Sequence, residues 1–137
     1  MNKKGFTLIE LLAVIVILAI IALIVTPVVS NIISSAKKAA NARSVEGHIK
    51  NIEYAIIQKA FEEGTGNLSM YDDTVKSDAD LKATLPAANQ LPQGDTVVCT
   101  SLTIENGTVT AADGCKVGTD TTVFEYHEGS GATAKAN

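Results

Sequence analysis

The sequence predicts an α+β fold, in which a long N-terminal α-helix packs against a small C-terminal antiparallel β-sheet. The first observation is an apolar run near the N-terminus that continues, with no further proline between Pro27 and Gly64, into a segment with helical periodicity. The second is a set of short Val-, Thr- and Ile-rich segments around Asn106-Gly107, a dipeptide typical of a tight hairpin. We expect the first half of the helix to span a membrane and the second half to be amphipathic.

Residues 11–29 form an apolar run of 19 residues that only Thr26 and Pro27 interrupt. As a helix, this run is long enough to cross a bilayer core of about 30 Å, and a helix satisfies its own backbone polar groups in lipid. Lys3 and Lys4 precede the run, so the positive charge predicts a cytoplasmic N-terminus and an external C-terminal region. Pro27 has no backbone N–H and is expected to bend the helix.

Glu10 is the charged residue inside this apolar segment, where a carboxylate is costly unless it finds a partner. If the chain were cut between Gly5 and Phe6, the new N-terminus would carry a cationic amine. Phe6 and Glu10 have the i, i+4 spacing of one helix face. We therefore expect the amine of the same chain or of a neighbouring chain to neutralise Glu10.

The stretch KKGFTLIELLAVIVILAIIALI resembles the class III signal of type IV pilins and pseudopilins. The resemblance implies cleavage between Gly5 and Phe6 by a prepilin peptidase, which also methylates the new Phe6 amine. It further implies that Glu10 pairs with the Phe6 amine of an adjacent subunit during assembly. Pro27 matches a proline of the family's helix, whereas Ala19 stands where the family often has a glycine.

The resemblance also implies a pilin-like fold and a structural function without enzymatic activity. The chain would be a subunit of a type IV pilus-like surface filament, assembled by packing of N-terminal helices and serving adhesion, motility or a related function. A pseudopilin of a competence (DNA uptake) or type II secretion machine is the alternative. The implied partners are identical or related pilin subunits in a helical homopolymer, the prepilin peptidase, the membrane platform with its assembly ATPase, and the lipid bilayer before assembly.

The implied precursor crosses the inner (cytoplasmic) membrane once, and the assembled subunit lies in an extracellular filament. Six segments are expected along the chain: a cleaved leader (1–5), a transmembrane or filament-core helix (6–29), the amphipathic helix half of the globular domain (30–63), a connecting αβ-loop (64–95), an antiparallel sheet (96–126) and a flexible tail (127–137).

Two other interpretations stay open. An ordinary secretory signal could be cleaved at the small residues Ser34-Ser35-Ala36, although the apolar run exceeds the usual length of about 7–15 residues and contains Glu10. A secreted or membrane-anchored binding module would need a concave apolar pocket, for which the C-terminal region offers little material.

The outer half of the helix carries two apolar stripes. One is assigned to the core against the sheet and comprises Val45, Ile49, Ile52, Ile56 and Ala60. The other, formed by Tyr54, Ile57 and Phe61, either extends this core or contacts neighbouring subunits. Gly64 is the expected end of the helix, where glycine commonly adopts a left-handed cap.

The connecting region contains one short predicted helix, over residues 78–85, with Ser77 as its N-cap. Leu91-Pro92 and Gly94-Asp95 predict a turn into the sheet. Strands are expected at residues 96–104, 107–112 and 121–126.

The hairpin register relates the two cysteines. With Asn106-Gly107 as the loop, Glu105 faces Thr108 across the hairpin and Cys99 faces Gly114. Cys115 is then one position out of register with Cys99, an offset that a single bulge corrects. A disulfide is expected on the external side of a membrane, and two free thiols are the alternative in a reducing compartment.

Composition and spacing give no sign of catalysis, a cofactor or a bound metal. The net charge is −4 with few aromatic residues, and no basic stripe of a nucleic-acid site is present. No nucleophile is placed beside a histidine, and His48 is expected to be solvated on the polar face of the helix. Asp113, Asp120 and Glu125 lack the pattern of a calcium loop and are interpreted as surface residues.

Overall fold

The computed structural model describes residues 5–72, 76–85 and 97–135 and confirms the α+β fold. The chain divides into two compact units, Met1–Lys37 and Lys38–Asn137. The predicted turn at residues 91–95 lies outside the described residues, as do residues 1–4 of the leader.

A long helix, α1, spans Leu8–Glu62, and a single 3-10 turn follows at Leu68–Tyr71. The short helix α2 covers Asp78–Thr84, and the side chain of its N-cap, Ser77, accepts a hydrogen bond from the Asp80 N–H, as predicted. In the described part of the chain, five strands complete the fold: β1 (Val97–Val98), β2 (Ser101–Glu105), β3 (Thr108–Val117), β4 (Phe124–His127) and β5 (Gly131–Ala134).

The first unit is apolar and exposed. Every large apolar side chain from Phe6 to Ile33 is exposed, and Val29, the least exposed of them, still shows 41% of its surface. Among the described residues, α1 is the helix that is long and apolar enough to cross a membrane. An apolar surface of this extent marks a segment that is covered by lipid or by protein.

The second unit contains the hydrophobic core. The predicted stripe of α1 is confirmed, because Val45, Ile49, Ile52, Ile56 and Ala60 are all buried. They share one cluster with the inward-facing residues of the sheet and with Tyr71, Leu81 and Leu85 from the connecting region. In the second stripe, Tyr54 is 70% and Phe61 76% exposed, so these two residues do not extend the core.

The sheet is an antiparallel meander in which β1 and β2 both pair with β3, which in turn pairs with β4, and β4 with β5. The predicted hairpin is confirmed: Glu105 faces Thr108, and Asn106 and Gly107 have φ values of 52° and 77°. Positive φ at both loop residues defines the type I′ turn that matches the twist of the flanking strands.

A bulge brings the two cysteines opposite each other. The register shifts between Thr103 and Ile104, so Ser101 pairs with Asp113 and Val98 with Lys116. Cys99 and Cys115 then form a disulfide, with 3.9 Å between their Cα atoms. Both the pairing and the single correcting bulge agree with the sequence analysis.

Gly114 lies at a second irregularity, where the pairing of β3 with β4 shifts between Ala112 and Cys115. Its φ is +67°, and a Cβ at this position would lie 1.9 Å from Thr100 Oγ1. Glycine is therefore required beside the disulfide by both backbone conformation and space.

Several predicted strand limits are wrong. The first predicted strand is broken into β1 and β2, and β3 continues to Val117, beyond residue 112. β4 begins at Phe124 rather than at Thr121, because the Thr122 N–H bonds the Asp120 carboxylate in a local turn instead of joining the ladder.

The prediction of a flexible tail over residues 127–137 is wrong for Gly131–Ala134, which forms β5. The glycine- and serine-rich composition marks a tight turn here, in which the Ser130 N–H donates to the His127 carbonyl. The Ala132 N–H also donates to the Glu46 carboxylate of α1 at 3.1 Å, which fixes the edge strand to the helix.

Candidate functional site

The predicted cleavage position lies just before α1. Gly5 and Phe6 are exposed and non-helical, and 87% of the Phe6 surface is accessible. Thr7 precedes the helix as its N-cap, since its Oγ1 accepts a hydrogen bond from the Glu10 N–H at 3.3 Å. The Gly5–Phe6 bond therefore lies in accessible, non-helical chain.

Thr7 was not singled out by the sequence analysis, although the sequence contains its signal. Thr7-Leu8-Ile9-Glu10 has the Thr-x-x-Glu pattern of a capping box, in which the first residue caps the helix and the last lies in its first turn. The Thr7 carbonyl also accepts the Glu10 and Leu11 N–H groups, at 3.1 and 3.2 Å.

This cap corrects the expected relation between Phe6 and Glu10. Because α1 begins at Leu8, Phe6 lies outside the helix, and the two residues do not share a helix face. Glu10 is exposed in the first turn, surrounded in sequence by exposed apolar side chains. The pairing of Glu10 with an amine therefore stays a prediction.

Pro27 lies within α1, and hydroxyl groups lie beside it in the sequence. Thr26 Oγ1 donates to the Ala22 carbonyl at 2.6 Å, and Ser30 Oγ donates to the Thr26 carbonyl at 3.0 Å. These bonds satisfy the two hydroxyl groups within the helix itself, as an apolar environment requires. The bend at Pro27 stays a prediction.

The interpretation of His48 as a solvated residue is wrong. Its Nε2 lies 2.8 Å from Asp78 Oδ1, and only 12% of its side chain is exposed. The helical periodicity could not predict this contact, because Asp78 lies 30 residues further along the chain, at the start of α2. The pair joins α1 to the connecting region.

Asp78 also binds the strand segment that carries the disulfide. Its second carboxylate oxygen accepts the Cys99 N–H, and its own N–H donates to the Cys99 carbonyl at 3.3 Å. Asp78 is thus a buried carboxylate that holds a histidine on one side and the backbone of a disulfide cysteine on the other. No sequence signal indicated this role for Asp78, because the residue belongs to no local motif and resembles an ordinary surface charge.

The acidic residues near the C-terminus have protein partners. Lys135 Nζ lies 3.0 Å from Asp113, and its hydrogen bond together with the Gly114 N–H lowers the pKa of the Asp113 carboxyl. The same contact raises the pKa of Lys135. Asp120 accepts a hydrogen bond from Asn41 at 2.8 Å. Asn41 is buried, so Asp120 is joined to the globular unit rather than simply solvated as predicted.

A second hydrogen-bonded group follows the end of α1. The Tyr71 hydroxyl donates to Glu63 at 2.8 Å, and Lys59 Nζ lies 3.3 Å from the same carboxylate. Burial, followed by the negative charge of Glu63, raises the pKa of Tyr71 to about 12. The hydrogen bond from Tyr71 and the contact with Lys59 lower the pKa of Glu63.

Comparison with known proteins adds one finding. Residues 1–26 match the family described as the prokaryotic N-terminal methylation motif, which is the class III signal of type IV pilins. Searches of curated proteins and of solved structures give no match. The matched segment contains Gly5, Phe6, Thr7 and Glu10, and it continues into the exposed apolar part of α1.

Proposed function

We propose that this chain is a structural subunit of a pilus-like surface filament. The premise is that it carries the class III signal of the type IV pilin and pseudopilin family. The observation that carries the proposal is the continuity of the methylation motif with an exposed apolar helix. Such a helix needs a bilayer before assembly and the helices of other subunits afterwards.

Processing is the first step of this function. A membrane prepilin peptidase cleaves between Gly5 and Phe6 and methylates the Phe6 amine. Both residues are exposed, and the cap at Thr7 keeps the bond outside the helix, where backbone is accessible to a protease. Before cleavage, the precursor crosses the cytoplasmic membrane once, with the second unit on the external side.

Assembly follows when the apolar helices move from lipid into a filament. Glu10 pairs there with the methylated amine of Phe6 in a neighbouring subunit, because an unpaired carboxylate among packed apolar helices is strongly disfavoured. This pairing selects one axial register between subunits. Pro27 lies in the same packed segment, and the exposed Tyr54 and Phe61 supply contacts between the globular units.

Glu10→Ala tests the assembly role. Removing one member of a buried ion pair costs about 3–5 kcal/mol, which corresponds to at least about a hundredfold loss of filament incorporation. The amount of subunit in shear-released filaments is measured against the amount in the membrane fraction. We expect the membrane level to be unchanged and the filament level to fall.

Glu105→Ala is the matched control, because Glu105 is an exposed carboxylate next to the hairpin turn of the globular unit. It should leave both fractions unchanged. Normal filament levels for Glu10→Ala would refute the role of Glu10 in register. Electron microscopy of the released material separates long surface filaments, expected here, from the absence of filaments that a pseudopilin would give.

A further inference from the structure

Three potential metal ligands from distant parts of the chain meet inside the globular unit. His48 comes from α1, Asp78 from the start of α2, and Cys99 from the break between β1 and β2. One potential ligand atom of each residue lies within 4.8 Å of those of the other two. Asp78 and Cys99 are buried, and the His48 side chain is 12% exposed.

This set of donor groups suits a zinc-type ion. Imidazole nitrogen, carboxylate oxygen and thiolate sulfur are the three ligand types of protein zinc sites. Ligand atoms of a tetrahedral zinc ion are about 3.3–3.8 Å apart, so the observed separations need only small adjustments. His48 Nε2 and Asp78 Oδ1, now 2.8 Å apart, would separate slightly to admit the ion.

The disulfide controls whether Cys99 is available. In the oxidised chain its sulfur is bonded to Cys115 and cannot serve as a thiolate. A dithiol reductant transfers two electrons and two protons to this bond, becomes a disulfide itself and leaves two thiols. Metal binding then displaces the Cys99 thiol proton to solvent.

We propose that the reduced chain holds a zinc-type divalent ion at His48, Asp78 and Cys99. The disulfide and the metal site are therefore alternative states of one cluster. The processing and the pairing proposed above use none of these three residues.

The surroundings of Asp78 favour a preformed site. The Cys99 N–H binds one carboxylate oxygen, which leaves the other directed at His48. Outer hydrogen bonds of this kind orient ligands and tune metal affinity. The Asp78 carboxylate is thereby held between the other two ligands before any metal arrives.

Cobalt binding to the full chain in detergent micelles tests the proposal. The chain is reduced with a dithiol, the reductant is removed without oxygen, and Co²⁺ is added. We expect one equivalent to give sulfur-to-cobalt charge-transfer absorption and the visible bands of a tetrahedral ion, and Zn²⁺ to abolish both. The oxidised wild-type chain is the control without any substitution and should show neither signal.

Variants then identify the ligands. His48→Ala and Asp78→Asn should each weaken Co²⁺ binding by at least about tenfold, whereas His127→Ala, which replaces the chain's other histidine, should not. Zn²⁺ should also slow alkylation of the reduced cysteines by at least about tenfold in the wild type and not in His48→Ala, by the same loss of affinity.

Two results would overturn the proposal. Absence of charge-transfer absorption in the reduced wild type would show that no thiolate–metal site forms. Unchanged cobalt affinity in both His48→Ala and Asp78→Asn would show that the cysteines alone bind the ion, as they would in an unfolded chain.

Discussion

At the scale of single residues, two carboxylates have contrasting positions. Glu10 lies in an exposed first turn among exposed apolar side chains, and its proposed partner is the amine of a neighbouring subunit. Asp78 is buried and has its partners within the fold, His48 and the Cys99 backbone. The proposed role of Glu10 is in assembly, whereas Asp78 holds parts of the globular unit together.

Tyr71 should give the chain an ionisation at unusually high pH. Burial raises its pKa from 10.0 to about 12, so the protonated phenol is favoured in the folded chain. The resulting stability is fully present below pH 10 and is lost as the pH rises through 12. Ultraviolet titration of the phenolates should show a late step whose amplitude Tyr71→Phe reduces.

Tyr54→Phe is the control for this titration, because Tyr54 is 70% exposed. It should leave the late step in place. Burial also raises the pKa of Tyr126, so the assignment rests on the amplitude of the late step. A late step of unchanged amplitude in Tyr71→Phe would contradict the assignment to Tyr71.

Gly114→Ala should destabilise the globular unit by about 1–3 kcal/mol, the cost of a non-glycine residue in a left-handed conformation under strain. The clash with Thr100 Oγ1 adds to that strain. Denaturant unfolding measures the change. Gly47→Ala, in the exposed helix interior with no atom near the added Cβ, should instead stabilise by about 0.5–1 kcal/mol. Equal effects of the two substitutions would contradict this account.

At the scale of elements, the disulfide fastens the open end of the β2–β3 hairpin. It joins residues separated by 16 positions, and both cysteines are buried. Asp78 binds the backbone of Cys99 at the same place, so α1, the connecting region and the sheet meet there. Loss of the disulfide should therefore destabilise the contacts of the hairpin with α1 and the connecting region as well as the hairpin itself.

Reduction of the disulfide, with a chelator present to exclude metals, should lower the free energy of unfolding by about 2–4 kcal/mol. The expected cause is the greater freedom of the unfolded chain once the loop is open. Urea unfolding of oxidised and reduced samples gives the difference directly. Equal unfolding midpoints for the two samples would show that the disulfide has no stabilising role.

Elements with local signals were predictable from sequence, and those defined by distant contacts were not. The type I′ turn, the Ser77 cap and the buried stripe of α1 each depend on residues a few positions apart. His48 was misinterpreted because Asp78 is distant in sequence. β5 was missed because a strand of small residues has the same composition as a loose tail.

The residues around the predicted cleavage position were likewise predictable only in part. The pattern around Gly5 and Phe6 is local and was recognised from sequence, as the family match at residues 1–26 confirms. The start of α1 at Leu8 was missed, because the long apolar run dominated the helix prediction and the capping role of Thr7 went unnoticed.

At the scale of the whole molecule, the two units meet different requirements. The first leaves its apolar side chains exposed and has no core of its own among the described residues. The second buries an aliphatic core and secures it with a disulfide. The proposed filament subunit, whose first unit would be covered first by lipid and then by other copies, accounts for this difference.

The most direct test of the central claim is the intact mass and N-terminal sequence of the protein in surface material released by shear. We expect an N-terminus at Phe6 carrying one additional methyl group, which establishes processing and filament membership together. An N-terminus near Lys37 would instead indicate an ordinary secreted domain, and it would contradict the assembly role of the apolar helix and of Glu10.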